Sequence, residues 1–580
     1  MRARPEIVRR PPVPGVDELP PELPSVLRNI YRARDVHSPL DLDHSLGRLL
    51  APDTLLGIDA ATRLLQEALD SGQRILVVAD YDADGATSCA LAVRALRLLG
   101  AGEVRYIVPD RFRFGYGLTP EIVALAAEEN PDVIITVDNG ISSIDGVRAA
   151  HEQGWRVVVT DHHLAGRELP EADAIVNPNQ PGDAFASKSL AGVGVIFYVM
   201  LALRARLREA GWFEERAMQE PNLASLLDLV ALGTVADLVP LDRNNRILVA
   251  QGLARINGGG ACPGIDALIR VSGAPTGRLA ASDLAFRLAP RLNAAGRLED
   301  MALGIECLLS NSPTAALEMA GDLDRLNRER RDIQETMQEQ AREAVASLHL
   351  ERDVLPRGLC LYDERWHQGV VGLVASRIKE QFHRPVIALA PGENGELKGS
   401  ARSVPGLHIR DTLDAIATRH PALLRRFGGH AMAAGLTLDT MDLDAFRSAF
   451  EEELKRQLGD EELQPRILSD GELQANEFRL DLAEQLRNAG PWGQTFPEPM
   501  FDGIFDVVDQ RVVGERHLKM RLRQADGPVV DAIAFNLLEE PVAPGWQRVQ
   551  AAYRLDVNEF QGTRRLQLLL EHVRAIGEAE

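Results

Sequence analysis

Three carboxylates, Asp80, Asp82 and Asp84, alternate at the end of the apolar run Ile75-Leu-Val-Val-Ala79, and Gly85 follows them. Acids this close repel one another unless a cation sits among them. Hard oxygen donors gathered without cysteine favour Mg²⁺ or Mn²⁺ over zinc. The plainer alternative is an acidic turn that caps the next helix. Further along, Asp138 stands alone after Ile134-Ile-Thr-Val137 and before Asn139-Gly140. There it either bridges cations held by the first cluster or simply makes an Asp-Asn-Gly turn.

Asp161-His162-His163 is the sharpest element, in a chain with only 13 histidines. Neighbouring histidines on an extended chain point to opposite faces. In a turn both reach one pocket, one to bind metal through a ring nitrogen, the other to touch a phosphate or protonate a leaving oxygen. Asp237 follows an apolar helical stretch and precedes Leu-Val-Pro240. It is either a helix-end residue of no consequence or the last member of a set of five or six carboxylates and one or two histidines. A set of that size suits two cations ~3.5–4 Å apart, which activate a water, hold it in line with a phosphorus and neutralise the leaving alkoxide.

Something must bring these residues together. Short β-branched apolar runs at 75–79, 104–108, 133–137 and 157–160 read as strands, and helices separate them around 86–99, 119–129 and 142–153. That alternation predicts a doubly wound parallel sheet, whose ligands bind beyond the carboxyl ends of the strands. Asp80 to Gly85, the segment 109–117, Asp138 to Gly140 and Asp161 to His163 each follow one strand. Independent acidic turns would not all gather at one sheet edge.

Beyond the sheet, helical stretches at 190–207 and 223–231 lead to Asp237. Ser312-Pro313 opens a long helix to about residue 349, serine being a good N-cap and proline a good first residue. Its apolar stripe, from Leu323 through Leu326, Ile333, Met337, Ala341 and Ala344 to Leu348, is narrow and predicts a linker between domains rather than core. A second, smaller α/β unit follows, with strands at 359–362 and 386–390 and a helix at 370–382. After a charged boundary near 452–472, about five strands with short turns predict a small barrel of the OB-fold type. The chain thus divides into an N-terminal appendage (1–70), a parallel-sheet domain that carries the acidic motifs (71–310), a connecting helix (311–352), a smaller α/β domain (353–460) and a barrel (461–580).

With 580 residues there is room for about three or four domains at ~150 residues each. No apolar run approaches the ~20 residues of a membrane span, and the polar, Pro-rich N-terminus does not read as a secretory signal. Four scattered cysteines make no zinc spacing and fit a reducing cytoplasm. A net charge of −21 opposes indiscriminate polyanion binding, so a nucleic-acid substrate needs a local basic track.

Together, Asp80-Tyr-Asp-Ala-Asp-Gly85, Asp138-Asn-Gly140, Asp161-His-His163 and Gly233-Thr-Val-Ala-Asp237 resemble the four motifs of the DHH phosphoesterase superfamily. Gly428-Gly-His-Ala-Met-Ala-Ala-Gly435 resembles the glycine-rich motif of its companion DHHA1 domain. The domain order over about residues 45–575 is similar to the single-strand-specific 5′→3′ DNA exonuclease branch of that superfamily. The resemblance implies Mn²⁺ or Mg²⁺ held by Asp82, Asp84, Asp138, His162 and Asp237, with Asp138 bridging. It implies Asp80 as a further ligand or a supporting carboxylate, and His163 on the scissile phosphate. It implies release of mononucleotides from single-stranded DNA with a free 5′ end in repair and recombination, alongside a single-stranded-DNA-binding protein and a helicase.

The chain also carries cationic loops where phosphates need them. Arg111, Arg113 and Tyr116 interleave charge with aromatic surface, suiting phosphate contact and base stacking. Arg291, Asn293 and Arg297 stand near the motifs. Ser400 and Arg402 belong to a Gly-Ser-Ala-Arg loop that resembles the family's 5′-phosphate pocket, and Gly428, Gly429 and His430 offer backbone N–H groups. Arg511, Arg516, His517, Lys519, Arg521 and Arg523 form a basic patch on the barrel. A cleft between the two α/β domains that admits one strand would make strand choice steric. Two rivals stand beside this reading: a phosphodiesterase for small nucleotides or polyphosphate, which needs neither barrel nor basic loops, and an inactive DNA-binding scaffold, which needs no intact ligand set.

Overall fold

The computed structural model describes residues 5–11, 18–109, 117–352, 356–392, 395–459, 463–514, 516–538, 542–560 and 563–577. The chain forms two compact units. One comprises Pro11–Asn327 and Asp470–Glu580, the other Met1–Arg10 and Arg328–Ser469.

In the larger unit the chain runs β1 (Ile75–Ala79), α1 (Ala83–Leu98), β2 (Val104–Ile107), α2 (Pro120–Ala126), β3 (Val133–Val137), α3 (Ile144–Glu152), β4 (Arg156–Thr160) and β5 (Ala174–Val176). The strands pair in parallel in the order β2-β1-β3-β4-β5. Every residue of β1 and β3 is buried, as a sheet covered on both faces requires. Alternate side chains enter different cores: Val77, Ile135 and Val158 one, Leu76, Ile134 and Val157 the other. The chain turns to opposite sides from β1, toward β2 and toward β3. The switch point therefore lies between the carboxyl ends of β1 and β3, where such sheets bind ligands. β5, only three residues long, was too short to read from the sequence.

Helices α4 (Gly192–Glu209), α5 (Leu227–Ala236), α6 (Arg243–Asn257), α7 (Pro263–Ser272) and α8 (Ala289–Leu298) complete the layer over the site. Leu27, Ile30 and Tyr31, from the segment before the sheet, are buried in the same core. Arg34 in that segment makes a two-pronged ion pair with Asp470 at 2.8 and 2.9 Å.

Helix α9 (Pro313–Arg352) is the long helix. Its narrow stripe predicted a linker, but Ala316, Ala320, Leu323 and Leu326 are fully buried in the larger unit's core. The division between units falls within this helix.

The smaller unit contains β6 (Leu359–Tyr362), α10 (Val371–Phe382), β7 (Val386–Pro391), β8 (Glu396–Arg402), α11 (Ile409–Arg419), β9 (Arg426–Gly429), β10 (Ala433–Asp439) and α12 (Leu443–Gln457). Its sheet order is β9-β10-β8-β7-β6, with only β6 and β7 parallel. Ser400 and Arg402, expected in a loop, lie on strand β8, paired with β7 and β10 on its two sides. Cross-strand pairing decides this, since strand formation follows neighbours more than intrinsic preference. The C-terminal strands β11 (Phe501–Val513), β12 (His517–Arg523), β13 (Val529–Ala534), β14 (Arg548–Phe560) and β15 (Thr563–Ala575) close into a five-stranded barrel. Among the described residues no helix is long and apolar enough to cross a membrane.

Candidate metal centre

The first acidic cluster leaves β1 and enters α1. Asp82 is the N-cap of α1 and accepts the N–H groups of Asp84 and Gly85 at 2.9 and 3.0 Å, as a capping carboxylate does. Asn293 on α8, anticipated as a DNA contact, instead accepts the Ala83 N–H at 2.9 Å and holds this turn in place. Asp80 accepts the adjoining Tyr81 N–H. Asp84 points inward and is 1 % exposed. Its two oxygens accept N–H bonds from Gly192 and Val193, at the start of α4, at 2.7 and 2.9 Å.

Asp138 follows β3 in the left-handed region, φ 61°, a conformation costing a non-glycine residue about 1 kcal/mol. Its neighbours enforce it. The Asp138 N–H donates to the Thr160 carbonyl. The Asn139 amide donates to the carbonyls of Val78 and Val137, tying the ends of β1 and β3 together. Thr136 Oγ1 donates to the Asn139 carbonyl at 2.7 Å.

After β4, Asp161 is fully buried and accepts N–H bonds from Ile141, His162 and His163, and the Nδ1 hydrogen of His163 at 2.8 Å. The turn sends both rings to one side, with centroids 4.4 Å apart. His162 Nε2 lies 3.2 Å from Asp138 Oδ1 and 3.4 Å from Asp237 Oδ2. Asn177 and Asn179 donate to the carbonyls of His163 and His162, fixing the turn from behind. Asp237 caps the C-terminus of α5 and faces the same space.

Potential ligand atoms form three overlapping groups: Asp80, Asp82 and Asp138; Asp84, His162 and Asp237; and Asp138, His162 and His163. In each, the atoms lie within 4.8 Å of one another. All seven anticipated residues thus converge, and Asp138 is shared by two groups. Burial, then the charge of Asp82, raises the Asp84 carboxyl to about 7, against the pull of the Gly192 and Val193 N–H groups. Burial and the neighbouring carboxylates hold Asp138 and Asp237 well above the usual carboxylate range. Five such acids packed together want positive charge. Their oxygen-rich donor set, with an imidazole and no thiolate, fits Mg²⁺ or Mn²⁺. For His163, burial alone lowers the pKa, but the hydrogen bond and charge of Asp161 outweigh it and raise the imidazolium to about 9. Asp161 itself stays ionised despite burial, through His163.

Two glycines let backbone come this close. A Cβ on Gly192 would sit 2.6 Å from Asp138 Oδ1, and one on Gly233 would sit 2.9 Å from Asp84 Oδ1. Gly192→Ala is expected to shift Asp138 and weaken Mn²⁺ binding by about 10–100-fold, the range for residues that position ligands. Calorimetric Mn²⁺ titration of the folded variant checks this, and wild-type affinity would exclude the contact.

The other sequence candidates divide. Arg111, Arg113 and Tyr116 lie outside the described residues. Arg291 is buried and paired with Asp324 at 2.8 Å, so it braces α8 against α9 rather than facing DNA. Arg297 is partly buried in the last turn of α8. Arg402 Nη1 donates to Ser400 Oγ and Nε to Ser376 Oγ of α10, and a Cβ on Gly372 of α10 would lie 2.9 Å from Arg402 Nη2. Gly428 and Gly429 are exposed at the end of β9. The His430 N–H, expected to be offered to a phosphate, donates to the Ala433 carbonyl and closes the hairpin. On the barrel, Lys519, Arg521 and Arg523 alternate with buried residues of β12, and Arg511 lies opposite Lys519.

Sequence reasoning gave no role to Asp161, Asn139, Asn177, Asn179 or Gly192. Only Asp161 carried a signal, as an acid at a strand end beside two histidines.

A parallel α/β sheet with this acidic and histidine cluster at its switch point defines a DHH-type phosphoesterase. Sequence models agree: the DHH family, N-terminal domain, matches residues 74–234, the DHHA1 domain 355–456 and the RecJ OB domain 469–572. Within that class the chain belongs to the RecJ family. It is 56 % identical over 559 residues to the single-stranded-DNA-specific exonuclease RecJ of Dickeya dadantii, covering 96 % of this chain and 97 % of that protein. It is 51 % identical to the Escherichia coli protein of the same name, covering 98 % of each. Among solved structures, RecJ from Thermus thermophilus in complex with Mn²⁺ superposes with a TM-score of 0.80 at 31 % identity, covering 100 % of this chain and 80 % of that one.

Proposed function

We propose that this protein is a metal-dependent exonuclease that degrades single-stranded DNA from a free 5′ end to mononucleotides. The convergence of Asp80, Asp82, Asp84, Asp138 and Asp237 with His162 and His163 carries the reading, in a chain half identical to named single-stranded-DNA-specific exonucleases over nearly its whole length. Asp82, Asp84, Asp138, His162 and Asp237 would hold two divalent cations, Mn²⁺ or Mg²⁺, with Asp80 supporting them. Bound there, the cations supply a readily ionised water and offset charge on the phosphate.

The protein's own groups do the rest. Asp161 accepts the His163 Nδ1 hydrogen and fixes the ring, so Nε2 is the nitrogen that would donate to substrate. At about 9 the imidazolium persists through neutral pH, and Nε2–H donates to a phosphate oxygen as negative charge develops. The exposed cations of β12 and the ring of Phe535, 55 % exposed and 5.2 Å from His517, suit a single strand, which needs backbone charge and a stacking surface. Work in repair and recombination, a cytoplasmic location, and association with a single-stranded-DNA-binding protein and a helicase go with this reading.

Digestion of 5′-labelled single strands in Mn²⁺ tests it, with Asp82→Ala as control. Binding without nucleotide release by the wild type would leave only a scaffold. Arg402 carries the 5′-end part: burial lowers its pKa, and none of the ion pairs among the described residues involves it, so its charge is available to a terminal phosphate. Arg402→Ala is expected to raise KM for 5′-phosphorylated strands by about 10–100-fold, since a charge-assisted hydrogen bond is worth roughly 1.5–3 kcal/mol. Strands with a 5′ hydroxyl should change little, and equal losses on both would remove the end-anchoring role.

A further inference from the structure

Helices α1 and α5 run from the metal centre to a separate cavity. One end of each bears a carboxylate of the metal centre, Asp84 on α1 and Asp237 capping α5. Their other ends meet at a separate cavity of about 450 Å³, lined by residues that include Arg94, Arg97, Asp228 and Arg255. Arg94 lies ten residues along α1 from Asp84, and Asp228 nine residues along α5 from Asp237. At 1.5 Å per residue the cavity stands roughly 13–15 Å from the hydrolytic centre. Its volume falls within the ~300–1,000 Å³ of small-molecule pockets.

Two polar atoms of the cavity lining, Asp228 Oδ1 and Arg255 Nε, are buried without a hydrogen-bond partner among the described residues. Asp228 is 1 % exposed. One oxygen accepts the Cys262 N–H at 2.7 Å, while Oδ1 has no hydrogen-bond partner among the described residues. Arg255 Nε is likewise buried without an acceptor. Burial raises the Asp228 pKa, with the Cys262 and Leu229 N–H groups and then the charge of Arg255 pulling against it, yet Asp228 and Arg255 form no ion pair among the described residues. A buried acceptor and a buried donor held apart in this way are left for a partner to satisfy. Arg94 is fixed by the carbonyls of Leu308 and Ser310 and by Asn311, and Arg97 by the Val104 carbonyl. Among the described residues neither bonds to a carboxylate, so three cations of the lining stand with one acid. The Cys262 thiol beside Asp228 is pushed up to about 12, by burial first and then by that carboxylate, and stays protonated. Leu226 and Leu229 supply apolar wall.

A ligand for this cavity needs an N–H donor for Asp228, an acceptor for Arg255, some apolar surface and an anion. We propose that the cavity is a binding site for a nucleoside monophosphate. A base amino group donates to Asp228 Oδ1 and the adjoining ring acceptor takes Arg255, pairings that carboxylates and arginines make with base edges. The phosphate lies toward Arg94 and Arg97.

The test is calorimetric titration of the full chain in EDTA, which strips divalent cations from the hydrolytic centre. The probes are deoxycytidine monophosphate, deoxycytidine and inorganic phosphate. The nucleotide is expected to bind one per chain, at least about tenfold tighter than either fragment. Arg255→Ala, and Ser225→Trp, which fills the cavity from its rim, should each weaken it at least about tenfold, with folding checked by circular dichroism; if one variant fails to fold, the other decides. No saturable binding at about 1 mM, phosphate binding as tightly as the nucleotide, or unchanged affinity in the folded variants would each overturn the proposal.

Discussion

Asp138→Asn is expected to lower single-strand hydrolysis by at least about 10³-fold, because the carboxylate shared by two ligand groups loses its charge and several kcal/mol of transition-state stabilisation go with it. The substitution isolates charge from shape. Asparagine tolerates the left-handed backbone at this position nearly as well as aspartate does, so the turn and its bonds to Thr160 should persist. Mn²⁺ titration should show weakened binding. Metal-free stability should move the opposite way. The Asp138 carboxyl is held well above its usual range by burial and by Asp84, Asp82, Asp80 and Asp237. A carboxyl raised in the folded state takes up a proton on folding, so metal-free wild type gains stability as pH falls through the raised values, near 7 for Asp84. Asparagine mimics the protonated form, so the variant in EDTA should melt above wild type at pH 8. Turnover within tenfold of wild type, or a lower melting temperature in EDTA, would remove Asp138 from its shared position.

Which parts of this centre could be read from the chain follows from how far apart the interacting atoms are in sequence. Asp80, Asp82 and Asp84 sit within five residues, and the pattern of apolar run, acid and glycine places them at a strand end without further information. Asp138, His162 and His163 follow strands of the same kind, so the doubly wound reading brings them to one edge. Asp84 is different. Its enclosure depends on the N–H groups of Gly192 and Val193, 108 and 109 residues away, and no local pattern encodes that contact. Asn293 shows the same limit: beside a glycine and two arginines it read as a DNA contact, yet its carbonyl oxygen anchors the Ala83 N–H from 210 residues away. Strand β8 failed locally for another reason. Lys398-Gly-Ser-Ala401 lacks β-branched residues, and only its position between β7 and β10 makes it a strand.

Asp161 is the residue whose role most depends on three dimensions, and its replacement separates two functions of His163. His163→Ala should cost about 10²–10⁴-fold in kcat/KM at every pH, the range for a positioned proton donor. Asp161→Asn keeps the size of the side chain and, with its one oxygen, can still accept the His162 and His163 N–H groups and His163 Nδ1–H; it gives up the acceptor of the Ile141 N–H and removes the charge that helps hold His163 near 9. The His163 pKa should fall toward the ordinary value of roughly 6.5. The sign then follows from which form acts. If Nε2–H donates to the phosphate, activity requires the imidazolium, present below its pKa. At pH 8 the protonated fraction falls from about 0.9 to about 0.03, a roughly thirtyfold loss, whereas at pH 6 most of the activity returns. The alkaline limb of the kcat/KM profile should therefore move to lower pH in Asp161→Asn, while His163→Ala loses that limb. A variant depressed equally from pH 6 to pH 9 would mean that Asp161 only orients the ring, and an unshifted profile would mean that His163 acts as the neutral imidazole.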